Sequence, residues 1–191
     1  MINTINPGEN LCGLQKADFQ KVIEGKQTDL FILKNESGAE VAITNYGGAV
    51  VAIMVPDKEG NYANVIQGHD TIDKVINSPE PFLSTLIGRY GNRIAKGKFQ
   101  LDGQEYQLAV NNGPNHLHGG PTGFHARVWD AEQTDCQTLK LHYLSADMEE
   151  GFRIYSCSAS GMSSAPAPCR EGAIRNHNQT QVRSAWQERT R

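Results

Sequence analysis

The 191-residue chain lacks the features that mark several large classes of protein. It has no run of about 18 apolar residues, the length that a membrane-spanning helix needs. Its mean hydropathy is −0.50, which is typical of a somewhat polar protein. The segment MINTINPGENLCG carries no apolar stretch after a basic start, so we predict no secretory signal and no membrane partner.

Cysteine is scarce, and no C-x-x-C pair is present. The four cysteines are widely spaced, at Cys12, Cys136, Cys157 and Cys169. This spacing argues against a zinc site and against a disulfide framework, and it favours a reducing compartment. We therefore expect a cytoplasmic protein without a bound metal. The net charge of −3 provides no basic footprint for nucleic acid, so no nucleic-acid partner is expected.

The character of the chain changes after Phe152. From Arg153 onward there are six Arg, two Glu and no Lys, a net charge of +4, whereas the first 152 residues hold 12 basic and 19 acidic residues. The tail shows neither strand alternation nor a helical apolar stripe. Two interpretations remain open: a disordered basic tail that binds an acidic partner, and an unrelated sequence such as the product of a reading-frame shift.

Short β-strands dominate the sequence before the tail. Thr138–Leu144 alternates, with Leu139 and Leu141 on one face and Lys140 on the other. One short helix is predicted over Asp70–Asn77, with the aspartate as its N-cap. Because no helical stretches alternate with the strands, we predict an all-β antiparallel sandwich or barrel rather than a parallel α/β sheet. Three further strands are predicted from runs of β-branched residues: Asp29–Lys34, Glu40–Tyr46 and Ala49–Val55.

A hairpin is predicted over KFQLDGQEYQL, residues 98–108. Asp102-Gly103 between two alternating runs is typical of a two-residue type I′ turn. Pairing Leu101 with Gln104 would place Phe99 opposite Tyr106 on one face of the hairpin. The hairpin separates the two polar segments IGRYGNRIAKG and NNGPNHLHGGPTGF, which we therefore expect to lie close together.

These two segments contain the candidate binding residues. Arg93 offers a rigid fork of donors, and Asn92 both donates and accepts hydrogen bonds, which suits vicinal hydroxyl groups. The apolar lead-in LSTLIG suggests that this segment begins inside the core, where an unpaired arginine would be costly. His118 precedes Gly119-Gly120, where the missing side chains allow a ligand to approach closely. The pattern predicts a site for a polar, uncharged ligand.

Other histidines have simpler interpretations. His116 and His118 are expected to point to opposite sides, and His116 is expected to be structural. The H-x-H pair supplies two nitrogens, but no nearby carboxylate or thiolate completes a metal site. The sequence GRYGNR lacks the spacing of a phosphate-binding loop.

At these residues the chain resembles the aldose 1-epimerase (galactose mutarotase) family. The resemblance runs from about Thr28 to Phe152. It includes the segments ITNYGGAVVAIMVPDKEGN, VIQGHD, LIGRYGNRIAKGKFQLDGQEYQL, NNGPNHLHGGPTGFHARVWD and SADMEEGF. The resemblance implies a galactose mutarotase-like antiparallel β-sandwich, incomplete in this chain. It also implies a lead-in over residues 1–27, a sandwich domain over residues 28–152 and an unrelated, disordered tail over residues 153–191.

The resemblance further implies a function. Family members interconvert the α and β anomers of free aldoses such as galactose and glucose, without a cofactor, by general acid–base ring opening. By resemblance, Asn92, Arg93 and His118 are the substrate-binding residues. The family's acid histidine and base glutamate are not found after EEGF, and His177, Glu171 and Glu188 do not match their motifs. The catalytic residues are therefore unassigned, and we expect a truncated chain with weak or no activity.

Three alternatives remain at this point. The first is a non-catalytic carbohydrate-binding β-sandwich that uses the same three residues. The second is an epimerase-like protein acting on hexose 6-phosphates, which has little support because only three arginines precede the tail. The third is a functional tail that binds an acidic partner. The sequence does not determine the oligomeric state or the preferred aldose.

Overall fold

The structure of the chain is a computed structural model that describes residues 10–153 and 157–163. Within those ranges it is built mostly from antiparallel strands. In chain order the strands are β1 Val22–Ile23, β2 Lys26–Gln27, β3 Leu30–Lys34, β4 Glu40–Thr44, β5 Val50–Pro56, β6 Tyr62–Asn64, β7 Arg93–Ile94, β8 Lys98–Leu101, β9 Gln104–Gln107, β10 His116–Leu117, β11 Asp130–Gln133, β12 Thr138–Ser145 and β13 Cys157–Ser163. One α-helix, α1, spans Ile72–Ile76, and short 3-10 helices span Lys16–Phe19, Ala95–Gly97, Phe124–Ala126 and Glu149–Gly151.

A four-stranded sheet in the order β3-β4-β5-β6 forms the centre of the molecule. The strands predicted from β-branched runs are confirmed here, with ends shifted by one or two residues. Gly47 and Gly48 both have positive φ and make the turn between β4 and β5. Because side chains alternate along a strand, this sheet presents a separate apolar face to each side.

Different parts of the chain pack against the two faces of the sheet. On one side Ala42 belongs to a cluster that includes Phe19 and Ile72, from the lead-in and α1. On the other side Ile43 packs with Trp129 and with residues of β12. The second sheet, in the order β11-β12-β13, thus lies against the first and gives the sandwich its second layer. The predicted class, an all-β antiparallel sandwich, is confirmed, with sheets that do not close.

The hairpin prediction is confirmed in detail. Asp102 and Gly103 have φ values of +51° and +77°, as a type I′ turn requires, and β8 pairs with β9 in the predicted register. The rings of Phe99 and Tyr106 stack with their centroids 5.0 Å apart. The hairpin returns the chain so that β10 pairs with β7.

The helix is shorter than predicted, and its N-cap was predicted one residue too early. Thr71, not Asp70, is the N-cap: its backbone is extended and its hydroxyl accepts a hydrogen bond from Lys74 N at 3.3 Å. The carboxylate of Asp70 instead pairs with the ammonium of Lys74 at 2.8 Å. Across the described ranges, every helix is too short or too polar to span a bilayer.

The first part of the tail contains a strand that the sequence did not predict. Residues 157–163 form strand β13, which pairs antiparallel with β12 from Ser145↔Cys157 to Thr138↔Ser163. The prediction missed this strand because a sheet edge pairs through main-chain groups, which need no alternation of apolar side chains. The remainder of the tail, including His177, Glu171 and Glu188, lies outside the described residues. The three-part domain division stays a prediction.

Candidate functional site

The structure brings together the two polar segments that flank the hairpin. In the β7–β10 ladder, Arg93 pairs with Leu117 and Ile94 pairs with His116. Just beyond the ladder, His118 N donates a hydrogen bond to the carbonyl oxygen of Asn92 at 3.0 Å. The three predicted binding residues, Asn92, Arg93 and His118, therefore lie at one end of a two-stranded ladder.

His118 has a defined tautomer in this arrangement. The backbone N–H of Asn92 donates to His118 Nδ1 at 3.0 Å, so Nδ1 accepts and the neutral ring carries its proton on Nε2. Burial lowers the pKa of His118, and the nearby positive charge of Arg93 lowers it further. The imidazole is therefore neutral at pH 7 and presents an N–H donor.

Asn92 and Arg93 are exposed beside this imidazole. Arg93 Nε donates to Asn112 Oδ1 at 3.0 Å, and Arg93 Nη1 donates to Asn92 Oδ1 at 3.3 Å. These two acceptors are neutral amides, so they orient the guanidinium without neutralising it. The cluster offers guanidinium, amide and imidazole groups to one exposed surface.

The expectation that Arg93 lies near the core is corrected by the structure. The buried arginine of this segment is Arg89, whose side chain is 6% exposed. It donates to Ser145 Oγ and to the carbonyl oxygen of Phe152, both at 2.8 Å, and also to the carbonyl oxygen of Ala146. Glu149 lies 3.9 Å from the same guanidinium. Arg89 thus holds the turn that follows β12 and has a structural role.

His116 points away from the cluster, as predicted, but strand alternation is not the reason, because residues two apart in a strand share a face. The chain leaves the strand after Leu117, and the turn conformation of His118, with φ of +52°, separates the two rings. It is fully buried, and its Nδ1 lies 2.8 Å from the carbonyl oxygen of Ala109. Its ring contacts the ring of Phe152 with centroids 5.3 Å apart. The two histidines of the H-x-H pair therefore lie in different environments, His116 in the protein interior and His118 in the cluster with Asn92 and Arg93.

Two residues that the sequence did not single out border the cluster. The ring of Phe82 contacts His118 at a centroid distance of 4.9 Å and His125 at 4.5 Å. His125 is only 4% exposed, and burial lowers its pKa, although the carboxylate of Glu150 opposes this shift. No spacing rule relates residues 82, 118 and 125, because they meet only through the packing of separate loops.

The surroundings of the cluster are open. A small pocket, with room for about 10 Å³, lies elsewhere beside His69 and Thr85, and none of the three predicted binding residues lines it. Within residues 10–153 and 157–163, no three His, Cys, Asp or Glu side chains group closely enough to hold a metal ion. Chemically, the cluster provides hydrogen bonds from groups that suit a hydroxyl-rich ligand on a solvent-facing surface.

Comparison with solved structures defines the class of fold. The structure is similar to the GalM/aldose epimerase homologue from C. elegans, with a TM-score of 0.65 and 25% identity over 70% of this chain and 40% of that one. It is also similar to galactose 1-epimerase from Lactobacillus acidophilus, with a TM-score of 0.62 and 24% identity over 73% and 41%. The molecule is thus a β-rich protein of the galactose mutarotase-like fold.

Sequence comparison identifies the family. The sequence profile described as Aldose 1-epimerase matches residues 29–156. The chain is 39% identical to galactose mutarotase from Bos taurus over 59% of this chain and 32% of that protein. It is 32% identical to aldose 1-epimerase from Escherichia coli over 68% and 37%. The chain belongs to the aldose 1-epimerase family, and it spans about a third of the length of the curated relatives that it matches.

Proposed function

We propose that Asn92, Arg93 and His118 bind a free aldohexose such as galactose or glucose, for the interconversion of its α and β anomers. The observation that carries this proposal is the reciprocal pairing of Asn92 with His118, in which each backbone N–H bonds an acceptor of the other residue at 3.0 Å. This pairing directs the imidazole toward the surface that Arg93 and the Asn92 amide also occupy.

The hydrogen-bonding groups of Asn92, Arg93 and His118 suit the hydroxyl groups of a sugar. Ring hydroxyls both donate and accept hydrogen bonds, so they can use the Asn92 amide in both directions. The guanidinium of Arg93 and the Nε2–H of His118 supply fixed donors to hydroxyl or ring oxygens. A phosphorylated sugar would demand a cluster of cations, whereas Arg93 is the one arginine among the three proposed binding residues.

His118 is better suited to holding the sugar than to protonating it. An efficient general acid has a pKa near the working pH, and the pKa of His118 is lowered from its ordinary value. It therefore donates a hydrogen bond as a neutral ring. We propose that His118 orients the sugar and polarises one of its oxygens, and that the proton transfers require groups not assigned in this sequence.

A galactose titration followed by NMR tests the binding proposal. We expect His118→Ala and Arg93→Ala each to weaken galactose binding about tenfold, which corresponds to about 1.4 kcal/mol. His142→Ala is the matched control, because His142 is an exposed imidazole on β12, outside the cluster, and its loss should change affinity less than about twofold. Galactose binding that is equally unaffected by all three substitutions would contradict the proposal.

A non-catalytic carbohydrate-binding protein is the second candidate, and the neutral His118 favours it. Polarimetry on freshly dissolved α-galactose separates the two candidates. Acceleration that His118→Ala removes would support an epimerase, whereas binding without acceleration would support the non-catalytic protein.

The cytoplasmic location and the absence of nucleic-acid partners stay predictions, supported by cysteine spacing and net charge. Cell fractionation with an antibody against the chain tests the location.

A further inference from the structure

The His118 imidazole is carried by a tight turn. Gly120 N donates to the carbonyl oxygen of Leu117 at 3.0 Å, and the two central residues, His118 and Gly119, have φ values of +52° and +87°. Positive φ at both central positions is the signature of a type I′ turn. A non-glycine residue is uncommon in this region, so His118 needs support from its surroundings to stay there.

One side of this turn is held by main-chain packing. A Cβ atom added to Gly119 would lie 1.7 Å from the carbonyl oxygen of Gly88, and one added to Gly123 would lie 2.7 Å from the same oxygen. Phe124 N donates to that oxygen at 3.2 Å. The Gly88 carbonyl therefore sits directly against the loop that follows His118.

The other side of the loop is held by one carboxylate. Glu150 Oε1 accepts a hydrogen bond from Thr122 N at 3.3 Å and another from the Thr122 hydroxyl. A Cβ atom added to Gly120 would lie 2.1 Å from Glu150 Oε2, so the carboxylate lies against the bare backbone of Gly120. Glu150 thus contacts the loop both within the turn and two residues beyond it.

Glu150 is itself held firmly in place. It belongs to a turn in which Met148 N donates to the carbonyl oxygen of Phe152 at 2.9 Å and Gly151 N donates to the carbonyl oxygen of Met148 at 2.9 Å. The buried guanidinium of Arg89 binds the Phe152 carbonyl from the other direction, at 2.8 Å. A carboxylate anchored in this way can transmit rigidity to the loop that it bonds.

We propose that Glu150 is a positioning residue that clamps the loop of residues 119–123 and so keeps His118 oriented toward the sugar. This inference rests on the proposed function, because it assigns Glu150 a role in the same binding site. Glu150 contacts the loop and not the His118 ring, so its effect on binding should arise from the fraction of molecules in which the loop is correctly placed.

The test compares Glu150→Ala with Glu150→Gln. Alanine removes the acceptor for Thr122, whereas glutamine keeps an oxygen in place of Oε1. We expect Glu150→Ala to accelerate amide exchange at Gly120 about tenfold and to weaken galactose binding about three- to tenfold, with Glu150→Gln within about twofold of the parent chain. Glu105→Ala is the matched control, since Glu105 lies on β9 and pairs with Lys98.

A double-mutant cycle identifies the clamp itself. If the carboxylate acts through Thr122, then Thr122→Val and Glu150→Ala should have non-additive effects on Gly120 exchange. Unchanged exchange at Gly120 in Glu150→Ala would overturn the clamp, whether or not the sugar binds. Changed exchange with no galactose binding by the parent chain would instead overturn the proposed function, and with it the link from the clamp to the sugar.

Discussion

Replacing Arg89 by methionine should destabilise the fold severely, whereas the same change at Arg93 should leave stability almost unchanged. The two arginines lie four positions apart in the same segment, but Arg89 is 6% exposed and Arg93 is exposed. Methionine retains much of the length and apolar volume of the side chain, so the comparison isolates the guanidinium and its hydrogen bonds.

The expected magnitude follows from the partners of Arg89. Its loss leaves the hydroxyl of Ser145 and the carbonyl oxygen of Phe152, both in buried residues, without this donor, at about 1–3 kcal/mol for each buried acceptor. Removing one member of a buried ion pair typically costs about 3–5 kcal/mol. Glu149 retains Arg127, whose Nη2 lies 3.0 Å from Glu149 Oε1, so we expect a loss near the lower limit, about 3 kcal/mol. For Arg93→Met we expect a change within about 0.5 kcal/mol, as for other exposed side chains.

Urea unfolding followed by tryptophan fluorescence measures this difference, because Trp129 is 1% exposed in the folded chain. With an m-value of about 2 kcal/mol/M, the midpoint for Arg89→Met should fall by about 1.5 M. A galactose titration should give the reverse ranking for Arg93. The Arg93→Met variant should bind galactose more weakly although its urea midpoint equals that of the parent chain. Equal urea midpoints for the two variants would refute the conclusion that Arg89 stabilises the fold whereas the exposed Arg93 does not.

Two further predictions concern pH and glycine. Burial lowers the pKa of His125 below its unfolded value, so the unfolded chain binds more protons, and the free energy of unfolding should fall as pH drops through about 6.5 toward the folded-state pKa. Urea midpoints measured between pH 7.5 and 5.5 follow this change. If the midpoint of His125→Gln depends on pH as steeply as that of the parent chain, the prediction is contradicted. Gly119→Ala should destabilise the fold by about 3 kcal/mol more than Gly113→Ala, because both glycines have positive φ but only the Cβ at residue 119 would meet the Gly88 carbonyl. Equal thermal midpoints for the two alanine variants would disprove the close approach.

The strands were predictable because their determinants are local. Side chains alternate with period two along β12, so the buried Leu139 and Leu141 were recognisable from spacing alone. The Asp102-Gly103 turn was predictable because few residues tolerate positive φ at both central positions. Strand β13 was not predictable, because its pairing depends on the free edge of β12 rather than on its own side chains.

The sequence by itself determined which residues are candidates for the site. Asn92, Arg93 and His118 were recognisable from their chemistry, from the glycines beside them and from the hairpin between their segments, all of which are properties of short stretches. Only the tertiary structure decided that Arg89 is the buried arginine and that Phe82 and Glu150 lie beside the histidine loop. Burial and contact between distant loops depend on how whole layers pack, and no pattern of neighbouring residues encodes that.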